Sequence, residues 1–184
     1  MILYLMRHGA AEDRAPTGRD SDRSLTPAGR ATVRRVALAL RDTAPAPIEQ
    51  LLASPLVRAQ ETAEIIRSIL CPDLDIDTDE DLAPDASAYD LAVRTASRGR
   101  VAFLVLHQPN IEMVARALAR PTLNPHTPPA VRVAQSARPS LRLPMGFRTA
   151  SVVGFRIEGR PPPYAIAVSI DPAHLSDSIP PSGG

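Results

Sequence analysis

Two histidines and two arginines stand in this sequence where a sheet-based protein does its chemistry. Arg7 and His8, with Gly9 after them, end the apolar run Ile2-Leu3-Tyr4-Leu5-Met6. Arg58 follows Ser54 by four residues, and Ser54 ends the short run Gln50-Leu51-Leu52-Ala53. His107 comes directly after Val101-Ala102-Phe103-Leu104-Val105-Leu106, the most apolar stretch in the chain. Placed as parallel strands of one sheet, these runs bring the four side chains to the crevice beyond the strand carboxyl ends, where open α/β sheets bind ligands. A metal ion there would want carboxylates beside the imidazoles, and two guanidinium groups would repel it. An oxyanion suits the set, because guanidinium groups grip phosphate oxygens through paired, charge-assisted hydrogen bonds. The residues therefore point to a phosphoryl group, with Gly9 allowing a sharp turn and a close approach of the ligand.

The elements that must position these groups can be read in order. Short apolar runs without turn residues are the mark of strands buried on both faces, as in a parallel sheet covered by helices. Residues 10–23 mix charges with Pro16 and Gly18 and keep no periodicity, so they read as a loop leaving the sheet edge. Thr26 and Pro27 form a helix start, the first as cap and the second as first helical residue. The helix puts Val33, Val36, Ala37 and Leu40 on one face and leaves Arg30, Arg34, Arg35 and Arg41 to solvent, until Pro45 and Pro47 close it. Ser54 and Pro55 repeat the cap-and-proline pattern for a helix with Ala59, Ala63, Ile66 and Leu70 along its stripe and Thr62 and Ile69 beside it. Arg58 then falls in the first turn and leans back over the helix N-terminus, which already favours an anion. Leu74 and Ile76 suggest a marginal strand in an acidic stretch, and a further helix is expected over 87–97. Gln108-Pro109-Asn110 opens another, carrying Ile111, Val114, Ala115 and Leu118. Residues 149–157 and 164–170 read as two strands joined by a proline-rich turn.

Length and composition bound the possibilities. A chain of 184 residues, 44% apolar and 22% charged, fits one domain over residues 1–170, with an irregular proline-rich loop at 121–148 and a flexible tail at 171–184. The net charge is +1 and aromatic residues make up 3%, so a polyanion-binding surface and base-stacking rings are both lacking and nucleic acid is not an expected partner. Cys71 is the single cysteine, which excludes an internal disulfide and a cysteine-based zinc cluster, and it reads as a small packed or semi-exposed residue and not a nucleophile. No apolar segment approaches the ~20 residues needed to span a bilayer, and Met1 runs straight into the first strand without a leader; a cytoplasmic protein with no membrane partner is expected. His126 and His174 lie in the loop and the tail and read as surface residues.

Arg7-His8-Gly9, Leu25-Thr26-Pro27-x-Gly29-Arg30, Ser54-Pro55-x-x-Arg58-Ala59-x-x-Thr62-Ala63 and the late His107 together resemble the histidine phosphatase, or phosphoglycerate mutase-like, superfamily. The resemblance covers about residues 1–118, and the short chain is similar to the SixA-type phosphohistidine phosphatases. It implies a three-layer α/β sandwich with a mostly parallel central sheet, and no metal or other cofactor. It also implies roles. His8 would be the nucleophile that takes up the phosphoryl group, with one ring nitrogen hydrogen-bonded so that the other keeps its lone pair. Arg7, Arg58 and His107 would hold the phosphoryl oxygens, with Gly9 and Ser54 among the substrate contacts. Many members of the superfamily place an acid after the third strand; here 79–85 offers several carboxylates, of which Asp81 is the candidate, set against a reading of the stretch as an acidic solvated loop.

Without a committed acid, the leaving group decides the substrate. An alcohol needs a proton to leave, whereas an imidazole titrating near ~6.5 can leave neutral if its far nitrogen is protonated. That favours phosphohistidine in a partner protein over small phosphorylated metabolites. A phosphatase of small phosphate esters, with 121–148 as a lid, is the alternative, and a phosphate-binding module without turnover is a further one.

Overall fold

A computed structural model describes residues 2–44, 46–84, 86–87, 90, 101–119, 146–157 and 164–175. Six strands form one sheet: β1 (Ile2–Arg7), β2 (Gln50–Ala53), β3 (Ile76–Thr78), β4 (Ala102–Leu106), β5 (Val152–Ile157) and β6 (Tyr164–Ile170). Their order across the sheet is β3-β2-β4-β1-β5-β6. The first four in that order pair in parallel, and β5 alone runs the other way, antiparallel to β1 and to β6. Three helices are described: α1 (Pro27–Thr43), α2 (Val57–Leu70) and α3 (Asn110–Ala119).

The unbroken apolar character of β1 follows from its place in the middle of the sheet. Ile2, Tyr4 and Met6 face a cluster built with Val33, Val36 and Leu40 of α1 and Ala59, Ala63 and Ile66 of α2. Leu3 and Leu5 face the opposite cluster, with Ile111, Val114, Ala115 and Leu118 of α3. Alternation therefore has no meaning for this strand, since both faces are dry. The result is the three-layer sandwich with a mostly parallel sheet that the resemblance implied.

Local chemistry starts α1 as expected. The Thr26 hydroxyl accepts the N–H of Gly29 at 2.9 Å, and Pro27 is the first helical residue. Gly29 is required by contact: a Cβ there would sit 2.1 Å from the Ala10 carbonyl oxygen, so the loop after β1 lies directly on the helix. The expected helix at 87–97 lies almost wholly outside the described residues, as do 121–145, the 159–163 turn, His126 and the end of the tail. His174 is exposed and Cys71 is buried. Burial pushes the Cys71 thiol up to about 11, which fits a packed residue and not a thiolate nucleophile. No helix among the described residues is long and apolar enough to cross a membrane.

Candidate active site

Strands β2, β4 and β1 lie side by side, and their carboxyl ends deliver the site. The chain leaves β1 through Arg7 and His8, leaves β4 through His107, and passes from β2 through Ser54 into α2. Backbone bonds lock these exits to one another: His8 N–H donates to the Leu106 carbonyl at 3.1 Å and Ser54 N–H to the Val105 carbonyl at 3.1 Å. A cleft of about 410 Å³ opens there, with Arg7, His8, Arg58 and His107 in its wall. The structure thus brings together the four side chains that sequence reasoning assembled from three distant segments.

Each group is held in a defined state. The two imidazoles lie 4.9 Å apart between ring centres and are almost fully buried. His8 Nδ1 lies 2.7 Å from the Gly9 carbonyl oxygen. A carbonyl only accepts, so Nδ1 carries the proton and Nε2 keeps its lone pair. Burial pushes His8 down to about 4; the bond to Gly9 opposes the shift, and the Arg58 and Arg7 cations reinforce it. Burial, His8 and Arg58 push His107 down to about 3. Both rings are therefore neutral near pH 7.

Gly9 and Ser54 are not among the residues that line the cleft but adjoin those that do. The Gly9 N–H is taken by the Thr62 hydroxyl at 3.1 Å, and that hydroxyl donates to the Arg58 carbonyl at 2.7 Å. One buried side chain of α2 thereby ties the His8 loop to the helix that carries Arg58. A Cβ on Gly9 would lie 2.7 Å from a methyl of Val33, so α1 closes the other side. Ser54 does not cap its helix. Its hydroxyl is 2.8 Å from His107 Nε2, and α2 begins only at Val57, with Leu56 at the cap position. The hydroxyl is shared: besides His107 it accepts the Leu56 N–H at 3.4 Å, one residue ahead of the helix.

Asp81 does not reach the cleft wall. It lies exposed on the 3₁₀ turn Glu80–Leu82, where the Asp79 carboxylate accepts its N–H and buried Leu82 anchors the other side. Among the described residues, the carboxylate that lines the cleft is Asp20, together with Arg23. Asp20 belongs to the stretch read as an aperiodic loop; its only sequence signal is an acidic residue three before an arginine. The closing segment is equally distant in sequence. Arg7 donates through Nη1 to the Phe147 carbonyl at 2.7 Å and through its backbone to the Ser151 carbonyl at 3.0 Å. Ala150, with φ of 65°, sends its N–H to the carbonyls of both Arg7 and His8. A left-handed residue without glycine is strained, and it sits where the backbone of the site is gripped.

The depressed imidazoles carry a stability signature. Below ~6.5 the unfolded chain binds protons that native His8 and His107 refuse, so stability is full above that pH and declines as pH falls toward about 4 and about 3. Between pH 7 and 5 each ring is expected to withdraw roughly 2 kcal/mol, read from urea denaturation midpoints. A flat profile over that window would contradict the placement of neutral, buried rings.

Fold and cleft define a class: an α/β sandwich that presents neutral imidazoles and guanidinium groups to a space sized for a small anion. Residues 3–84 match the model of the histidine phosphatase superfamily (branch 1). An uncharacterised protein of Picosynechococcus sp. is 46% identical over 66 residues, which are 36% of this chain and 39% of that protein. The match thus spans about two fifths of the curated relative. A protein histidine phosphatase SixA complexed with tungstate superposes with a TM-score of 0.71 at 24% identity, covering 96% of this chain and all of the other. An ecdysone phosphate phosphatase from Bombix mori, also with tungstate, superposes with a TM-score of 0.61 at 17% identity over 100% of this chain and 96% of the other. At these identities the two structures share the fold.

Proposed function

We propose that this protein is a phosphatase that works through a phosphohistidine intermediate on His8, and that its substrate is phosphohistidine in a partner protein. The observation that carries the reading is the bond from His8 Nδ1 to the Gly9 carbonyl, which leaves Nε2 as a neutral nucleophile beside two guanidinium groups. In the first step the Nε2 lone pair attacks phosphorus and the leaving group departs with the electrons of its own bond to phosphorus. Arg7 and Arg58 neutralise charge on the equatorial oxygens, and His107, steadied by Ser54, completes the ring of groups around them. In the second step water attacks the phosphorylated ring, phosphate is released, and His8 returns to its starting state.

The choice of substrate rests on the leaving group. Asp81 lies exposed away from the cleft, and Asp85 of the same stretch lies outside the described residues. Imidazole is the leaving group that tolerates this arrangement best. The test is a comparison of kcat/KM for a phosphohistidine-bearing protein with a panel of sugar and nucleotide phosphates. The phosphohistidine protein should lead; efficient turnover of the esters alone would overturn the assignment in favour of small metabolites.

A further inference from the structure

Asp20 is left without a task by the steps above, yet its carboxylate faces the same space as His8. It lies on the 3₁₀ turn Asp20–Asp22 and receives two bonds from Arg58, Nη1 to its backbone carbonyl at 2.8 Å and Nη2 to Oδ2 at 3.0 Å. Arg23 Nε donates to Oδ1 at 2.7 Å. The Arg58 side chain is 5% exposed and that of Asp20 64%, so the carboxylate stands at the open mouth above a buried cation. Partial burial alone would raise the Asp20 carboxyl, but Arg58 and Arg23 outweigh it and hold the group below the usual carboxylate range. Each oxygen has accepted one bond and retains a lone pair for another donor.

In-line transfer puts the leaving atom on the far side of phosphorus from His8, toward the open side of the cleft. We propose that Asp20 accepts a hydrogen bond from the far ring N–H of a phosphohistidine substrate and thereby selects imidazole as the leaving group. This deepens the functional reading above and rests on it. The chemistry balances without an external acid. The P–N bond breaks and its electron pair returns to the ring nitrogen that carried phosphorus, while His8 Nε2 forms the new N–P bond. With its far nitrogen already protonated, the substrate ring leaves as neutral imidazole; without that proton it would leave as imidazolate, a far stronger base. A carboxylate opposite the far N–H favours the protonated ring before cleavage. The same carboxylate repels the negative oxygen of a departing alkoxide and has no proton to offer it.

The experiment is Asp20→Asn, assayed on a phosphohistidine-bearing protein and on p-nitrophenyl phosphate, whose phenolate leaves without help. The expected result is a loss of kcat/KM on phosphohistidine at least about tenfold greater than the loss on the ester, with partial recovery in Asp20→Glu. Equal losses on both substrates would show that Asp20 serves only to align Arg58 and would overturn the proposal while leaving the functional reading intact. Wild-type protein that hydrolyses the ester and ignores phosphohistidine would defeat the functional reading, and this proposal with it.

Discussion

His8→Ala protein is expected to lose at least about 10⁴-fold in kcat and to take up no covalent phosphate label. The size of the effect follows from the division of labour in the cleft. The guanidinium groups and His107 can still bind an anion, but His8 Nε2 is the imidazole nitrogen whose lone pair the Gly9 bond fixes, so the covalent route through it closes. Wild-type protein quenched during turnover should carry phosphate that is lost in acid and kept in alkali, as a P–N bond requires. Because His8 sits at the end of a strand whose other residues form the core, far-UV circular dichroism should be unchanged in the variant. Label retained in His8→Ala, or activity within roughly tenfold of wild type, would remove His8 from the reaction.

Arg58→Ala should lower kcat/KM by about 10²-fold, corresponding to about 3 kcal/mol of lost transition-state stabilisation. Arg58→Lys should recover little of it. Nη1 and Nη2 act as a planar fork, both engaged by Asp20, and Nε is buried without a protein partner. A lysine ammonium reproduces the charge but not the fork. Losing the guanidinium also frees Asp20 from its buried counter-ion and leaves it paired with Arg23 alone. A lysine variant within roughly threefold of wild type on the same substrate would mean that charge suffices and that the fork geometry is incidental.

Much of this arrangement was legible in the sequence, for reasons that can be separated. β1 and β4 announce themselves because strands dry on both faces must be continuously apolar, and the polar residues that stop them mark the sheet edge. Thr26 and Pro27 are equally plain, since a cap acts on the N–H groups three residues away and needs no tertiary help. Ser54 misleads because the same local pattern is overridden by a histidine 53 residues further on. Asp20 carries only the local signal of an arginine three residues on, while its partner Arg58 lies 38 residues away and only folding brings the two together. Asp81 lies in the expected segment but is exposed on a turn whose buried member is Leu82, as the reading of an acidic solvated loop had it. The run at 149–157 reads as a strand from its start, but the first three residues instead form the turn that clamps Arg7 and His8, and β5 begins at Val152. Direction is also absent from composition, so the antiparallel course of β5 had to be seen.

That clamp has a bearing on how the protein comes into being. The first strand is made long before the segment that grips it: the carbonyl that steadies the Arg7 guanidinium belongs to Phe147, 140 residues later. Closing so long a segment is entropically demanding and comes late in folding. A half-made chain therefore lacks the contacts that hold Arg7 and His8 in place, and the cleft is complete only once the segment at 147–151 has docked.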